Sequence, residues 1–312
     1  MTKRLFGPRA GEPQLAADEY RLLRDLVCER LGVWFGPESR ASLERRLRER
    51  LTVRGLTSFS DYHQFLKYAP GAADEWEEAQ ELLTTHETYF FREDYQLRAF
   101  KNEILPSFAA RNGSRRRLHV WSAGCSTGEE VYTIAMLILE SGLFEGWDVR
   151  VYGSDLSKRC IASARRGVYG AASFRATPDA AKQTWFATER RDRSVKIRLR
   201  ENTQDSAEPA KDDDLLTVAP QVRSICHFGQ LNLLDDERTF LVGRCDVIFC
   251  RNVLLYFDSA SRRRVIDMFH DRLVSGGVLL LGHAESLLNV STAFELLHLR
   301  EDLVYRKPSA AR

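Results

Sequence analysis

The chain predicts an α/β protein: an open, mostly parallel sheet with helices on both faces, carrying a small antiparallel β insertion and preceded by an all-α domain. Three observations predict this. Residues 15–83 hold helical periodicity with no strand signal. From Leu118 onward, short apolar runs alternate with amphipathic stretches, the rhythm of a covered parallel sheet. Residues 118–139, LHVWSAGCSTGEEVYTIAMLIL, read as strand, small-residue loop and helix in direct succession.

Residues 1–14 form a Gly/Pro-containing tail expected to be flexible. Leu22, Leu23, Leu26, Val27 and Leu31 set the i, i+4 rhythm of a first helix, and Leu43, Leu47 and Leu51 repeat it in a second. Ser60-Asp61 is expected to cap a third that buries Tyr62, Phe65 and Leu66, and Trp76 begins the apolar face of a fourth. Residues 84–117 then link this helical domain to the α/β domain, residues 118–312. There, strands are expected at 118–121, 149–154, 224–228, 245–250 and 277–282, with a closing hairpin of 294–299 and 302–306. Helices are expected at 129–141, 157–166, 259–274 and 284–290. Residues 168–223 break the rhythm. They hold a helix, Asp179 to Phe186, an alternating run, Val195 to Leu199, and a polar loop, Asn202 to Asp214. That stretch reads as a small antiparallel insertion with a disordered loop, placed to contact a partner.

Bulk properties exclude several classes. The net charge of +2 among 312 residues is close to neutral and argues for no special partner. Six cysteines form no CxxC pair and no metal-ligand spacing, so they read as reduced thiols of a cytosolic protein and no metal is expected. The N-terminus lacks an apolar h-region, and no run of about 18 apolar residues occurs, which predicts no membrane span.

The loop Ser122 to Gly128 sits where a strand-to-helix turn brings a nucleotide-like ligand against backbone N–H groups. Gly124 and Gly128 permit close approach and positive φ, but the third glycine of a dinucleotide fingerprint is missing. Glu129 and Glu130 follow at once and would repel a pyrophosphate. They either complement the helix dipole or face a cationic ligand such as S-adenosylmethionine, with its sulfonium and ammonium. Asp155 ends the second strand roughly thirty residues beyond Gly124, somewhat further than the ~20 usual for a ribose-binding acid. It either caps the following helix or, if Ser157 does so, is left for ribose hydroxyls.

With these pieces in place, the chain resembles the chemotaxis-receptor glutamate O-methyltransferases, the CheR family, over nearly its whole length. Thr84 to Arg92, TTHETYFFR, resembles the family's TTNxTxFFR segment, and residues 121–130, WSAGCSTGEE, resemble its cofactor loop. Ser154-Asp155, Leu231 to Leu234 (LNLL), Cys245 to Asp258 (CDVIFCRNVLLYFD) and Gly282 to Ser286 (GHAES) match further motifs in order. His86 stands where the family usually has Asn, Ala284 replaces a Ser, and the acidic loop near 203–214 lengthens the insertion.

The resemblance implies a Rossmann-like class I S-adenosylmethionine-dependent methyltransferase domain. It implies methyl transfer to glutamate side chains of methyl-accepting chemoreceptors, with S-adenosylhomocysteine as product. By position it puts Gly124 in the cofactor loop, Glu129 at the cofactor's ammonium, Asp155 at its ribose, Asn232 and Leu233 along the adenine, and His86 and Thr88 on the other side. Arg92 and Arg251 would hold carboxylates, of the cofactor and of the substrate glutamate, or else form ion pairs within the fold. Asn252 sits at the ligand-binding end of the fourth strand, Tyr256 would orient the acceptor, and His283 reads as a hydrogen-bonded structural residue. Residues 40–54 carry six arginines against two glutamates. Arg45, Arg46, Arg48 and Arg50 on that helix would draw in an acidic receptor surface. The β insertion would grip a receptor tail peptide, and a cytoplasmic monomer is expected.

Three other readings compete. A nucleic-acid methyltransferase shares the fold and cofactor, but the chain lacks an Asn/Asp-Pro-Pro-aromatic motif for a flipped base. A non-catalytic cofactor-binding scaffold would bind without turnover. A nicotinamide oxidoreductase fails on the missing glycine.

Overall fold

The computed structural model describes residues 13–188 and 215–309. Helices α1 (Ala17–Leu31), α2 (Arg40–Arg54), α3 (Phe59–Tyr68) and α4 (Ala72–Leu83) close on one apolar cluster that includes Leu23, Val27, Leu43, Leu47, Leu51 and Tyr62. The first stripe is narrower than the sequence predicts. Leu23, Val27 and Leu31 are buried, whereas Leu22 is exposed and Leu26 only half-buried, because neighbouring helix positions lie about 100° apart. The cap of α3 is Ser58, not Ser60-Asp61: its side chain accepts the Asp61 amide at 3.1 Å. Phe65 is half-buried beneath the Arg54 guanidinium.

Residues 94–112, expected within a linker, are helical: α5 (Asp94–Ala99), a π turn (Phe100–Ile104) and α6 (Leu105–Asn112). Phe100, Ile104, Leu105 and Phe108 turn one face into the core. Pro106 has no N–H to continue the ladder, and the wide turn falls just before it.

The main sheet begins with β1 (Arg117–Ala123), followed by α7 (Glu129–Ser141), β2 (Asp148–Asp155) and α8 (Lys158–Arg166). A second, three-stranded antiparallel sheet interrupts it: β3 (Val168–Tyr169), β4 (Phe186–Thr188) and β5 (Leu216–Val218), in the order β3-β5-β4. Helix α9 (Asp179–Trp185) leads into β4. Phe90 from the segment before α5 packs on Tyr169, Phe174 and Phe186, tying the insertion to the core. The run Val195 to Leu199 and the polar loop 202–214 lie outside the described residues.

The chain returns to the main sheet with β6 (Cys226–Gln230), β7 (Cys245–Cys250), α10 (Ser259–Arg272), β8 (Leu273–Leu281), β9 (Glu295–His298) and β10 (Leu303–Arg306). Strand order is β6-β2-β1-β7-β8-β10-β9. The pairings from β6 to β8 are parallel, and β10 runs antiparallel to β8 and β9, the closing hairpin expected from sequence. Side chains along each strand alternate between two cores. Val120, Val247 and Phe249 join one, while Trp121, Ile248 and Cys250 join the other.

Two expectations move. The strand placed at 224–228 is found at 226–230, because Pro220–Arg223 forms a helical turn just before it. No helix forms at 284–290: the Glu285 carboxylate folds back onto the Gly282 amide at 2.7 Å and holds the chain in turns.

Candidate active site

The strand order reverses at β1, which has β2 on one side and β7 on the other. Ligands of open α/β sheets bind outside the C-terminal ends of the strands at such a point. Here the loop after β1, the end of β2 and the loop after β7 surround a cavity, closed over by residues 83–92 and by Leu31 and Val33 of the helical domain.

The β1–α7 loop is held open for a ligand. Gly124 and Cys125 both donate to the Ser154 carbonyl, at 2.8 and 2.9 Å. Gly124 has φ +79°, and a Cβ there would lie 2.4 Å from Val253 Cγ2. Asp155 Oδ2 accepts the Ser126 amide at 2.8 Å, and Oδ1 accepts the Ser157 amide at 2.9 Å. Ser157 itself caps α8 through the Cys160 amide, which leaves Asp155 on the cavity wall as one of the two sequence readings requires. Burial pushes the Asp155 carboxyl up; the two amides and His86 oppose this.

His86, Thr88, Arg92, Gly124 and Asp155 all line the cavity, as do Asn232, Leu233, Arg251, Asn252 and Tyr256. Glu129 does not, and this corrects the sequence assignment. Its buried carboxylate accepts the Thr127 hydroxyl at 2.7 Å and the Ser173 hydroxyl at 2.9 Å. Consecutive helix residues face directions about 100° apart, so the next one, Glu130, takes the cavity position. Glu130 accepts the Ser122 hydroxyl at 2.7 Å and pairs with Arg251 at 3.2 Å. Burial pushes its carboxyl up, and Arg251 draws it back.

Arg251 is nearly inaccessible and committed. Besides Glu130 it pairs with Glu93 at 3.0 Å and donates to the Arg92 carbonyl at 2.6 Å. It is therefore a charge hub within the wall, the ion pair within the fold that is one of the two sequence readings, with Nε left unpartnered among the described residues. Arg92 is freer: one guanidinium nitrogen donates to the Glu87 carbonyl. Asn232 is also committed, donating to the Arg30 carbonyl at 2.8 Å and accepting the Leu234 amide at 3.0 Å. His86 Nε2 lies 3.1 Å from Thr84 Oγ1 and 3.7 Å from Glu81. His86, Asp155 and Cys160 offer ligand atoms within 4.8 Å of one another, but burial pushes the Cys160 thiol up to about 11, away from the thiolate that a metal would need. His283 is exposed, against the expectation of a bonded structural histidine.

The basic helix splits into two roles. Arg45 is exposed, Arg46 donates to the Leu82 carbonyl at 2.9 Å, and Arg48 pairs with Glu44. Arg50 holds the fully buried Glu75 through two bonds, 2.8 and 2.7 Å, joined there by Arg54 and Tyr62. Arg50 is thus a core residue and is withdrawn from the expected docking face. None of the four arginines lines the cavity.

Sequence reasoning missed Glu93 and Glu285, and within the acidic pair it assigned Glu129 where Glu130 lines the cavity. The signal for Glu130 was present in the acidic pair, but the helix phase that selects its member is a property of the loop geometry.

Two family models match the chain: the CheR methyltransferase all-alpha domain over residues 18–84, and the CheR methyltransferase SAM binding domain over residues 86–207 and 207–303. The chain belongs to the CheR methyltransferase family. Among curated relatives, the chain is 32% identical over 286 residues to chemotaxis protein methyltransferase 2 of Vibrio cholerae, covering 91% of each chain. It is 30% identical over 277 residues to the chemotaxis protein methyltransferase of Borreliella burgdorferi, covering 88% of this chain and 89% of the relative. Like other members, this CheR-family chain uses S-adenosylmethionine. Its cavity fits that group in three respects. Gly124, which lines the cavity, turns at φ +79° with Val253 packed against it, and Leu31, Val33 and Leu233 give apolar surface. Arg251 Nε and Asn252 Oδ1 are buried polar atoms without a partner among the described residues.

Proposed function

We propose that the chain transfers a methyl group from S-adenosylmethionine to glutamate side chains on the cytoplasmic helical region of methyl-accepting chemoreceptors. The products are glutamate methyl esters and S-adenosylhomocysteine. One observation carries the reading: a cavity at the reversal of strand order gathers Gly124, Asp155, Leu233, Arg92 and Tyr256, groups suited to binding and aligning two reactants in place of a nucleophile–base pair. A glutamate acceptor needs none, because its carboxylate is ionised near pH 7.

The bound cofactor supplies an activated methyl on a sulfonium, with a neutral thioether leaving. This chain's residues supply alignment and exclusion of water. Asp155 would accept the ribose hydroxyls, with Leu233, Leu31 and Val33 along the adenine. His86 and Thr88 would close the ribose side. Glu130, in place of Glu129, would meet the ammonium. Arg92 would hold a carboxylate, and Arg251 would fix Glu130 and Glu93. Tyr256, part-exposed, would orient the incoming glutamate. Arg45, Arg46 and Arg48 would meet the acidic receptor surface, and the β insertion would take a receptor tail peptide. The enzyme would act as a cytoplasmic monomer.

The test is to incubate the protein with methyl-labelled S-adenosylmethionine and either receptor-bearing membranes or total nucleic acid from the same cell. Base-labile label on the receptor band supports the proposal. Label on nucleic acid, or cofactor binding with no transfer, would replace it with another acceptor or a scaffold.

A further inference from the structure

Glu285 lies outside every role assigned above, in the turns after β8, yet its carboxylate accepts four backbone amides. Oε2 takes Asn252 N at 2.8 Å and Gly282 N at 2.7 Å; Oε1 takes Val253 N at 2.9 Å and Leu255 N at 3.2 Å. Three of those amides belong to the loop that leaves β7. Those three main-chain N–H groups have no sheet or helix partner among the described residues, so without the carboxylate the loop would sample many conformations.

The loop so held carries much of the cavity wall. Asn252 is kept in the left-handed region at φ +61°, a conformation that costs a non-glycine residue energy and persists only when its surroundings enforce it. Val253 packs against the Gly124 backbone, so its position sets the depth of the cofactor loop. Leu255 leads directly into Tyr256, whose carbonyl in turn accepts the Trp34 amide of the helical domain.

We infer that Glu285 is the positioning residue of this active site: one carboxylate clamps the loop after β7 so that Asn252 and Val253 meet the cofactor side and Tyr256 the acceptor side. The inference rests on the cavity being the methyl-transfer site. Alignment of the two reactants is the main thing such chemistry requires, and a misplacement of about 1 Å can cost on the order of a hundredfold in rate.

The carboxylate makes the test sharp. Each oxygen serves two amides, so Glu285→Gln leaves two N–H groups facing an NH2 whichever way the amide turns. A residue that only fills space would be replaced by Gln without loss. Glu285→Gln and Glu285→Ala are compared with the unaltered protein for S-adenosylhomocysteine binding by calorimetry, thermal unfolding, and kcat on receptor membranes. The expected result is a fall of roughly a hundredfold in kcat for both variants. Cofactor affinity should change by less than about tenfold, since Asp155 and Leu233 are untouched. Retained kcat in E285Q would overturn the inference, as would failure of E285Q to fold, which would assign the carboxylate to stability alone. Retained cofactor binding in the same samples keeps the site reading separate from the clamp reading.

Discussion

Arg50→Ala and Arg45→Ala separate two jobs carried on one helix. The Glu75 carboxylate is fully buried, and Arg50, itself only 12% exposed, gives it two of its hydrogen bonds. Truncating Arg50 leaves Arg54 and Tyr62 as partners, so Glu75 is under-compensated but not abandoned. Breaking a buried pair costs about 3–5 kcal/mol, and the remaining partners place this case near the lower end, ~3 kcal/mol. Arg45 is exposed, and its truncation should change stability by less than about 0.5 kcal/mol. Burial raises the Glu75 carboxyl, but the bonds from Arg50, Tyr62 and Arg54 outweigh it and leave it below the usual carboxylate range. A depressed acid contributes stability above its unfolded value and loses it as pH falls through the folded value. The gap between the unaltered protein and R50A should therefore be full near neutrality and shrink in acid. Urea unfolding at several pH values reads both, and receptor methylation at several salt concentrations reads Arg45. R45A should raise the KM for receptor and flatten its salt dependence. An R50A protein as stable as the parent at pH 7, with a defect confined to receptor KM, would refute the division and return Arg50 to the docking face.

Asp155→Ala should weaken S-adenosylhomocysteine binding by at least about tenfold in calorimetry, because it removes a ribose acceptor and frees the Ser126 and Ser157 amides. Gly124→Ala should lower both stability and cofactor affinity. Its Cβ would meet Val253 and its φ is left-handed, a combined cost of roughly 1–3 kcal/mol. Cofactor affinity should fall on acidification earlier than ordinary carboxylates would cause, since burial raises both Asp155 and Glu130. An affinity profile flat down to the usual carboxylate range would contradict the cofactor roles of both.

Much of this fold was legible because periodicity reports burial. The alternating strands, the closing hairpin and the four N-terminal helices all follow from apolar spacing. Residues 94–112 were missed because Pro106 and the polar residues around it hide an apolar face that continues through a π turn. The site was legible as a set of cavity-lining positions: His86, Thr88, Arg92, Gly124, Asp155, Asn232, Leu233, Arg251, Asn252 and Tyr256 all border one cavity. Glu129 and Glu130 show the limit: their adjacent carboxylates point to different neighbours, and only the pitch of α7 decides between them. Arg50 and Arg251 show another. A guanidinium reads as an offered charge until its buried partners, Glu75 and Glu130, are seen across the fold. Glu285 gave no signal beyond its motif, because its partners are backbone amides, which a sequence does not mark.

The most direct measurement is mass-spectrometric mapping of chemoreceptors after incubation with this protein and S-adenosylmethionine. The account predicts methyl esters on glutamate side chains of the cytoplasmic helical region, removed by mild base and strongly reduced, at limiting cofactor, when Asp155→Ala is used. Receptors left unmodified by a protein that binds the cofactor, or methyl groups found only on another class of acceptor, would contradict it.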